Sequence, residues 1–141
     1  MRTPCVLLHS FYHWLQYFLQ LPVKLTMPSQ LLFGVLLICI MHVSIWWATN
    51  SQLMDGFSKN ASFILAVVLS LPITLLSYYA TRVLYEALNE SLWSVRFIGF
   101  GVSYLVFPIL TWYFLGESMF TTKTLLCILL SLLIIVIQVK M

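Results

Sequence analysis

The chain has 141 residues, 62% of them hydrophobic and only 8% charged, with a formal net charge of +3. A soluble domain carries about 25% charged residues, and a chain this short cannot hide so much apolar side chain from water. The composition therefore excludes a water-soluble globule. Seven basic residues scattered without a patch exclude a nucleic-acid surface as well. What remains is an integral membrane protein, with the lipid bilayer as its first partner.

Residues 1–26 stand apart from the rest. His9, His13, Gln16 and Gln20 recur at steps of four, three and four, which places them on one helical face. Val6, Leu7, Phe11, Trp14, Leu15 and Phe18 fill the remainder. The pattern predicts an amphipathic interfacial helix that ends near Pro22. A basic Arg2 ahead of an apolar stretch also fits a signal peptide. The four polar residues, the bulky aromatics and the lack of a small-residue cleavage site argue against that reading. As a fifth span the stretch is at the short limit of about 17 residues. Met27 offers an alternative start, which would leave residues 27–141 as the protein.

Four charge-poor runs follow, at 25–54, 60–81, 97–116 and 124–139. Crossing a hydrocarbon core of roughly 30 Å takes a helix of about 20 apolar residues. Backbone groups in lipid must be satisfied internally, and the runs are too long and uniform for alternating barrel strands. Spans are predicted over about 31–49, 61–85, 92–115 and 122–139. Asp55-Gly56 and Gly116-Glu117 mark turns between them. Connectors this short set sequential helices side by side. The expected fold is all-α: an integral membrane four-helix antiparallel bundle over 27–141, with the amphipathic segment 1–26 in front. Arg2, Lys24, Arg82, Arg96 and Lys140 fall on one side of this arrangement, and Lys59 and Lys123 on the other. By the positive-inside rule both termini are cytoplasmic, in a plasma (inner) membrane.

Pro72 and Pro108 interrupt the second and third spans and free the carbonyls of Val68 and Tyr104. Ser70, Thr74 and Ser103 are placed to help, so the sequence leaves a simple kink or a polar pocket as the two readings. Small residues form rows at steps of four: Ser62, Ala66, Ser70 and Thr74, then Gly99 and Ser103, then Cys127 and Ser131. Such rows permit close helix approach.

Few residues carry chemistry. His42 is the only ionisable group in the first span, near mid-membrane, where such groups are functional hypotheses by default. An imidazole can carry a proton near pH 7, and the plainer reading is a neutral ring bonded to a neighbouring helix. Arg82, Glu86 and Glu90 are spaced i, i+4, i+8, with Arg96 beyond. They form a gate of ion pairs or a surface charge ladder. Trp46, Trp47, Trp112 and Tyr113 fall near span ends, where such rings anchor to headgroups. Trp93 and Tyr104 are candidates for the wall of a substrate pocket, because ring faces attract organic cations. His9 and His13 have metal-pair spacing with no third ligand near, so no metal site is expected. Cys5, Cys39 and Cys127 imply no disulfide, and the two in spans read as small hydrophobes. There is no phosphate loop, nucleophile elbow or HExxH. Neither an enzyme nor a cofactor is expected.

From Tyr78 onward the chain carries YYATRVLYEALNESLWSVRFIGFG and then FPILTWYFLGESMFTTKTLLCILLSLLIIVIQ. Phe107-Pro108, the Phe114-Leu115-Gly116-Glu117 turn and the last apolar helix resemble the second half of an EamA-type repeat of the drug/metabolite transporter superfamily. Trp93-Ser94, Gly99-x-Gly101 and Trp112 to Gly116 also resemble its small multidrug resistance branch. That resemblance implies alternating access by a dimer, either a homodimer or a pair with a related membrane subunit. The substrate would be a small polar or cationic metabolite. His42 stands where the branch has a proton-coupling glutamate, so an imidazole would replace a carboxylate. The resulting expectation is a proton-linked His42, a pocket wall of Trp93 and Tyr104, and a gate of Arg82, Glu86 and Arg96. The alternative is a non-transporting scaffold or accessory subunit of another membrane complex.

Overall fold

The computed structural model describes residues 27–140; the expected amphipathic helix, His9, His13 and Cys5 lie outside them. The four charge-poor runs are four helices: α1 (Met27–Asn50), α2 (Lys59–Ala87), α3 (Leu92–Leu115) and α4 (Thr122–Lys140). Each is long and apolar enough to cross a membrane. At 1.5 Å per residue, even the shortest matches a hydrocarbon core of roughly 30 Å.

The helix ends are set by short polar side chains. Ser58, Ser91 and Thr121 accept hydrogen bonds through their hydroxyls from the amides of Ala61, Ser94 and Thr124, at 3.2, 3.3 and 3.3 Å. These bonds satisfy amide donors that the first turn of a helix leaves orphaned. At the end of α1, Thr49 Oγ1 donates to the Ile45 carbonyl at 2.8 Å, and Asn50 Nδ2 donates to that of Trp46 at 3.0 Å. A single 3-10 turn (Ser51–Leu53) follows. Gly116, with φ at +69°, closes α3 in the left-handed conformation that favours glycine.

The turn between α2 and α3 is tight and takes an unusual course. Asn89 and Glu90 both have positive φ, 52° and 62°. The Glu90 amide reaches back to the Tyr85 carbonyl at 2.9 Å, the long bond of a Schellman ending. Asparagine tolerates that conformation; glutamate is less common there.

Packing runs in the order α2, α1, α3, α4. α1 lies mainly against α2 and then α3, α4 lies against α3, and α2 and α3 touch each other only sparingly. The core sits where α1, α2 and α3 meet, in a cluster of Ile38, Ala80, Leu84, Val95, Ile98 and Val102. Gly34 admits the Leu84 side chain: a Cβ on Gly34 would stand 2.5 Å from Leu84 Cγ. A Cβ on Gly101 would stand 2.6 Å from Ile135 Cγ1 and 3.2 Å from the Ser131 carbonyl oxygen, so α3 and α4 meet there. Ser131 is the one buried residue of α4 among those described.

Two expectations change in detail. α2 and α3 continue through Pro72 and Pro108. Ser70 and Thr74 bond the carbonyls of Val67 and Ser70, at 2.7 and 2.8 Å, and not that of Val68. Trp46, placed by sequence near a span end as a headgroup anchor, is fully buried. Its Nε1 donates to Thr111 Oγ1 of α3 at 3.0 Å, and its ring centroid lies 5.3 Å from that of Phe114.

Candidate functional site around His42

His42 lies in the second half of α1 and faces α3. Its Nε2 is 3.1 Å from the carbonyl oxygen of Gly99. A carbonyl can only accept, so Nε2 carries the proton, and in the neutral ring Nδ1 is then an acceptor. Nδ1 is buried and has no hydrogen-bond partner among the described residues. Phe107 meets the ring edge-on, with centroids 6.2 Å apart. The imidazole is therefore tethered at one nitrogen and walled on one side, with the other nitrogen unsatisfied.

A cavity of about 110 Å³ adjoins this ring. Its polar lining comes from three helices: His42 of α1, Ser77 and Thr81 of α2, and Arg96 of α3. Ile38, Met41 and Val95 supply apolar walls. The volume holds several water molecules, and the hydroxyls and the guanidinium are partners for them. A buried polar atom with no partner costs about 1–3 kcal/mol, and Nδ1 of His42 is such an atom in a residue that lines this cavity.

Next to it runs a larger open groove of about 620 Å³ between α2 and the start of α3. Tyr78, Arg82, Tyr85 and Leu92 line it, and it shares Ser77 and Thr81 with the His42 cavity. Arg82 Nε and Glu86 Oε1 are 3.4 Å apart, with both side chains about half exposed (42% and 54%). An exposed i, i+4 pair of this kind contributes at most about 0.5 kcal/mol.

Of the residues expected to act together, the structure brings His42 and Arg96 to one cavity and sets Arg82, in its pair with Glu86, in the adjoining groove. Trp93 and Tyr104 lie elsewhere. Trp93 is 75% exposed, stacked on Phe97 with centroids 6.1 Å apart. Tyr104 lines a separate cavity of about 230 Å³ with Phe107, Pro108, Thr111 and Glu117. Ser77, Thr81 and the Gly99 carbonyl are lining groups that sequence reasoning missed. Ser77 and Thr81 had a signal, two hydroxyls four apart in an apolar run. The carbonyl had none, since every residue has one. Among the described residues, no three metal-ligating side chains come together.

No protein family model, curated protein or solved structure matches the chain.

Proposed function

We propose that this is a small transporter-like membrane protein, its four spans crossing as antiparallel hairpins with both termini cytoplasmic. It moves a small polar metabolite by proton-coupled alternating access, as a dimer. One observation carries the reading: the one histidine of α1, a helix with no Lys, Arg, Asp or Glu, lines a cavity shared by three helices, with one ring nitrogen unpaired. A span residue with no role would point into lipid or a dry core, and ionisable groups inside spans mark ion and substrate paths. Arg96 beside the imidazole, with no carboxylate in the lining, favours a neutral or anionic solute over an organic cation. The Arg82–Glu86 pair, beside the shared Ser77 and Thr81, serves as the gate. Dimerisation supplies volume, because 110 Å³ is below the roughly 300 Å³ of ordinary ligand pockets.

Proteoliposome uptake with a panel of polar metabolites tests this. Flux that depends on pH in the wild type and loses that dependence in His42→Ala is the expected result. A chain that is dimeric and folded but carries nothing in either form refutes transport.

That small volume also favours a second reading, a non-transporting scaffold or accessory subunit in which the His42–Gly99 bond only fastens α1 to α3. Purification in gentle detergent separates the two: a stoichiometric unrelated membrane partner supports the accessory role, and a clean dimer supports transport.

A further inference from the structure

The groove between α2 and α3 has a chemistry of its own. Two arginines line adjoining spaces: Arg82 the groove and Arg96 the His42 cavity, with Ser77 and Thr81 lining both. No carboxylate lines either space. Glu86 holds Arg82 from the side, and among the described residues Arg96 has no carboxylate partner. Farther from the α2–α3 turn than either arginine, the groove wall is apolar and aromatic, from Ile73 and Tyr78.

Depth matters as much as charge. Arg82 precedes the end of α2 by five residues, and Arg96 follows the start of α3 by four. At 1.5 Å per residue both α-carbons lie about 6–8 Å inside the helix ends. Long basic side chains at that depth snorkel toward the interface. Such stems let guanidinium groups extend toward lipid phosphates, with Ile73 and Tyr78 deeper, at acyl-chain level. Guanidinium binds phosphate oxygens by two parallel hydrogen bonds, and a basic pocket between spans at an anionic leaflet takes a lipid headgroup.

We propose that the groove and the adjoining cavity bind one anionic phospholipid, its phosphate held between Arg82 and Arg96 and an acyl chain laid along Ile73 and Tyr78. A free soluble anion would match the arginines but leave the apolar wall unused; an uncharged lipid would match the wall but leave Arg96 without a counter-ion. The site goes beyond the transport reading and rests only on its cytoplasmic placement of the α2–α3 turn; it shares Arg96 with that reading, and no proton step at His42 enters.

Native mass spectrometry of the detergent-purified full chain, titrated with phosphatidylglycerol or phosphatidylcholine, tests the proposal. One bound phosphatidylglycerol is expected in preference to phosphatidylcholine. Arg96→Gln should weaken it about fivefold, corresponding to ~1 kcal/mol per basic residue at an anionic surface, and Arg96→Lys, which keeps the charge without the two-pronged hydrogen bond, should restore only part of it. Leu92→Glu places a carboxylate in the groove at an exposed first-turn position that favours acidic residues. It should weaken phosphatidylglycerol while keeping the fold, as Lys123→Gln at the far end should not. Equal retention of the two lipids, or unchanged affinity in both Arg96→Gln and Leu92→Glu, overturns the site. Displacement by glycerol phosphate at the concentration of the lipid itself overturns the lipid as occupant. His42→Ala should leave lipid retention intact even where it abolishes flux, so failure of one proposal is read separately from failure of the other.

Discussion

Helices α1 and α4 have nearly the same apolar character and opposite fates. α1 buries Gly34, Ile38 and Trp46 and touches both α2 and α3. α4 buries Ser131 alone and packs substantially only on α3. In water such a difference would follow from hydrophobicity. In a bilayer it does not, because lipid tails are as apolar as leucine and helices associate through shape and hydrogen bonds. α1 carries a notch at Gly34 and a large knob with a hydrogen-bonding tip at Trp46. α4 offers mostly leucine and isoleucine, which lipid solvates equally well. The three-helix core is therefore specified at particular residues, while α4 is attached at one small-residue crossing.

Deleting the knob should have the largest effect. Trp46→Ala leaves a cavity beside Phe114 and removes the donor to Thr111, and a loss of about 3–5 kcal/mol is expected. Unfolding by steric trapping in bicelles measures it; a loss below about 1 kcal/mol would erase the contrast between the two helices. Filling the notches comes next. Gly34→Ala and Gly101→Ala should each cost about 1–3 kcal/mol through overpacking. The rescues differ and sharpen the comparison. Leu84→Ala should relieve Gly34→Ala, since the clash is with a side chain. Ile135→Ala, which removes the clashing Cγ1, should relieve Gly101→Ala only partly, since the Ser131 carbonyl is backbone and stands 3.2 Å away. Gly101→Ala should loosen α4 alone, visible as faster amide exchange in α4 with α1 unchanged.

Smaller effects follow. Thr111→Val removes the acceptor for Trp46 Nε1, and interhelical hydrogen bonds in membranes average about 0.6 kcal/mol with a maximum near 1.7. The same bicelle assay should place it in that range. Gly99→Ala should change stability least, within about 0.5 kcal/mol. An added Cβ meets only Ile38 Cδ1, at 3.9 Å, and the carbonyl that receives His42 is kept. A large loss there would show that the glycine itself, and not its carbonyl, matters to the His42 site.

Several of these features were legible in the sequence, and the reasons differ by residue. The helices were, because runs such as 124–139 contain no charge and satisfy a length set by the bilayer. His42 stood out because an ionisable group in such a run is costly. Its partner did not, because the Gly99 carbonyl is chemically the same as every other. Gly99 was read as a packing residue, whereas the close approach to α4 falls at Gly101, two positions on and on another face. Trp46 was read as an interfacial ring from its place near a span end. Which way a tryptophan points depends on helix rotation, and an apolar helix with no marked polar face does not reveal its rotation. The same ambiguity hid the separation of Trp93 and Tyr104 from the His42 cavity.

The amino-acid order alone determined that the chain is helical and belongs in a bilayer, since charge-free length answers to the thickness and dielectric of lipid and to nothing else in the protein. Only the tertiary structure decided which faces meet: Leu84 in the Gly34 notch, Ser131 against Gly101, Ser77, Thr81 and Arg96 around His42. Those choices rest on shape complementarity between helices surrounded by a solvent as apolar as themselves, and shape is a property of pairs of surfaces that neither sequence segment contains by itself.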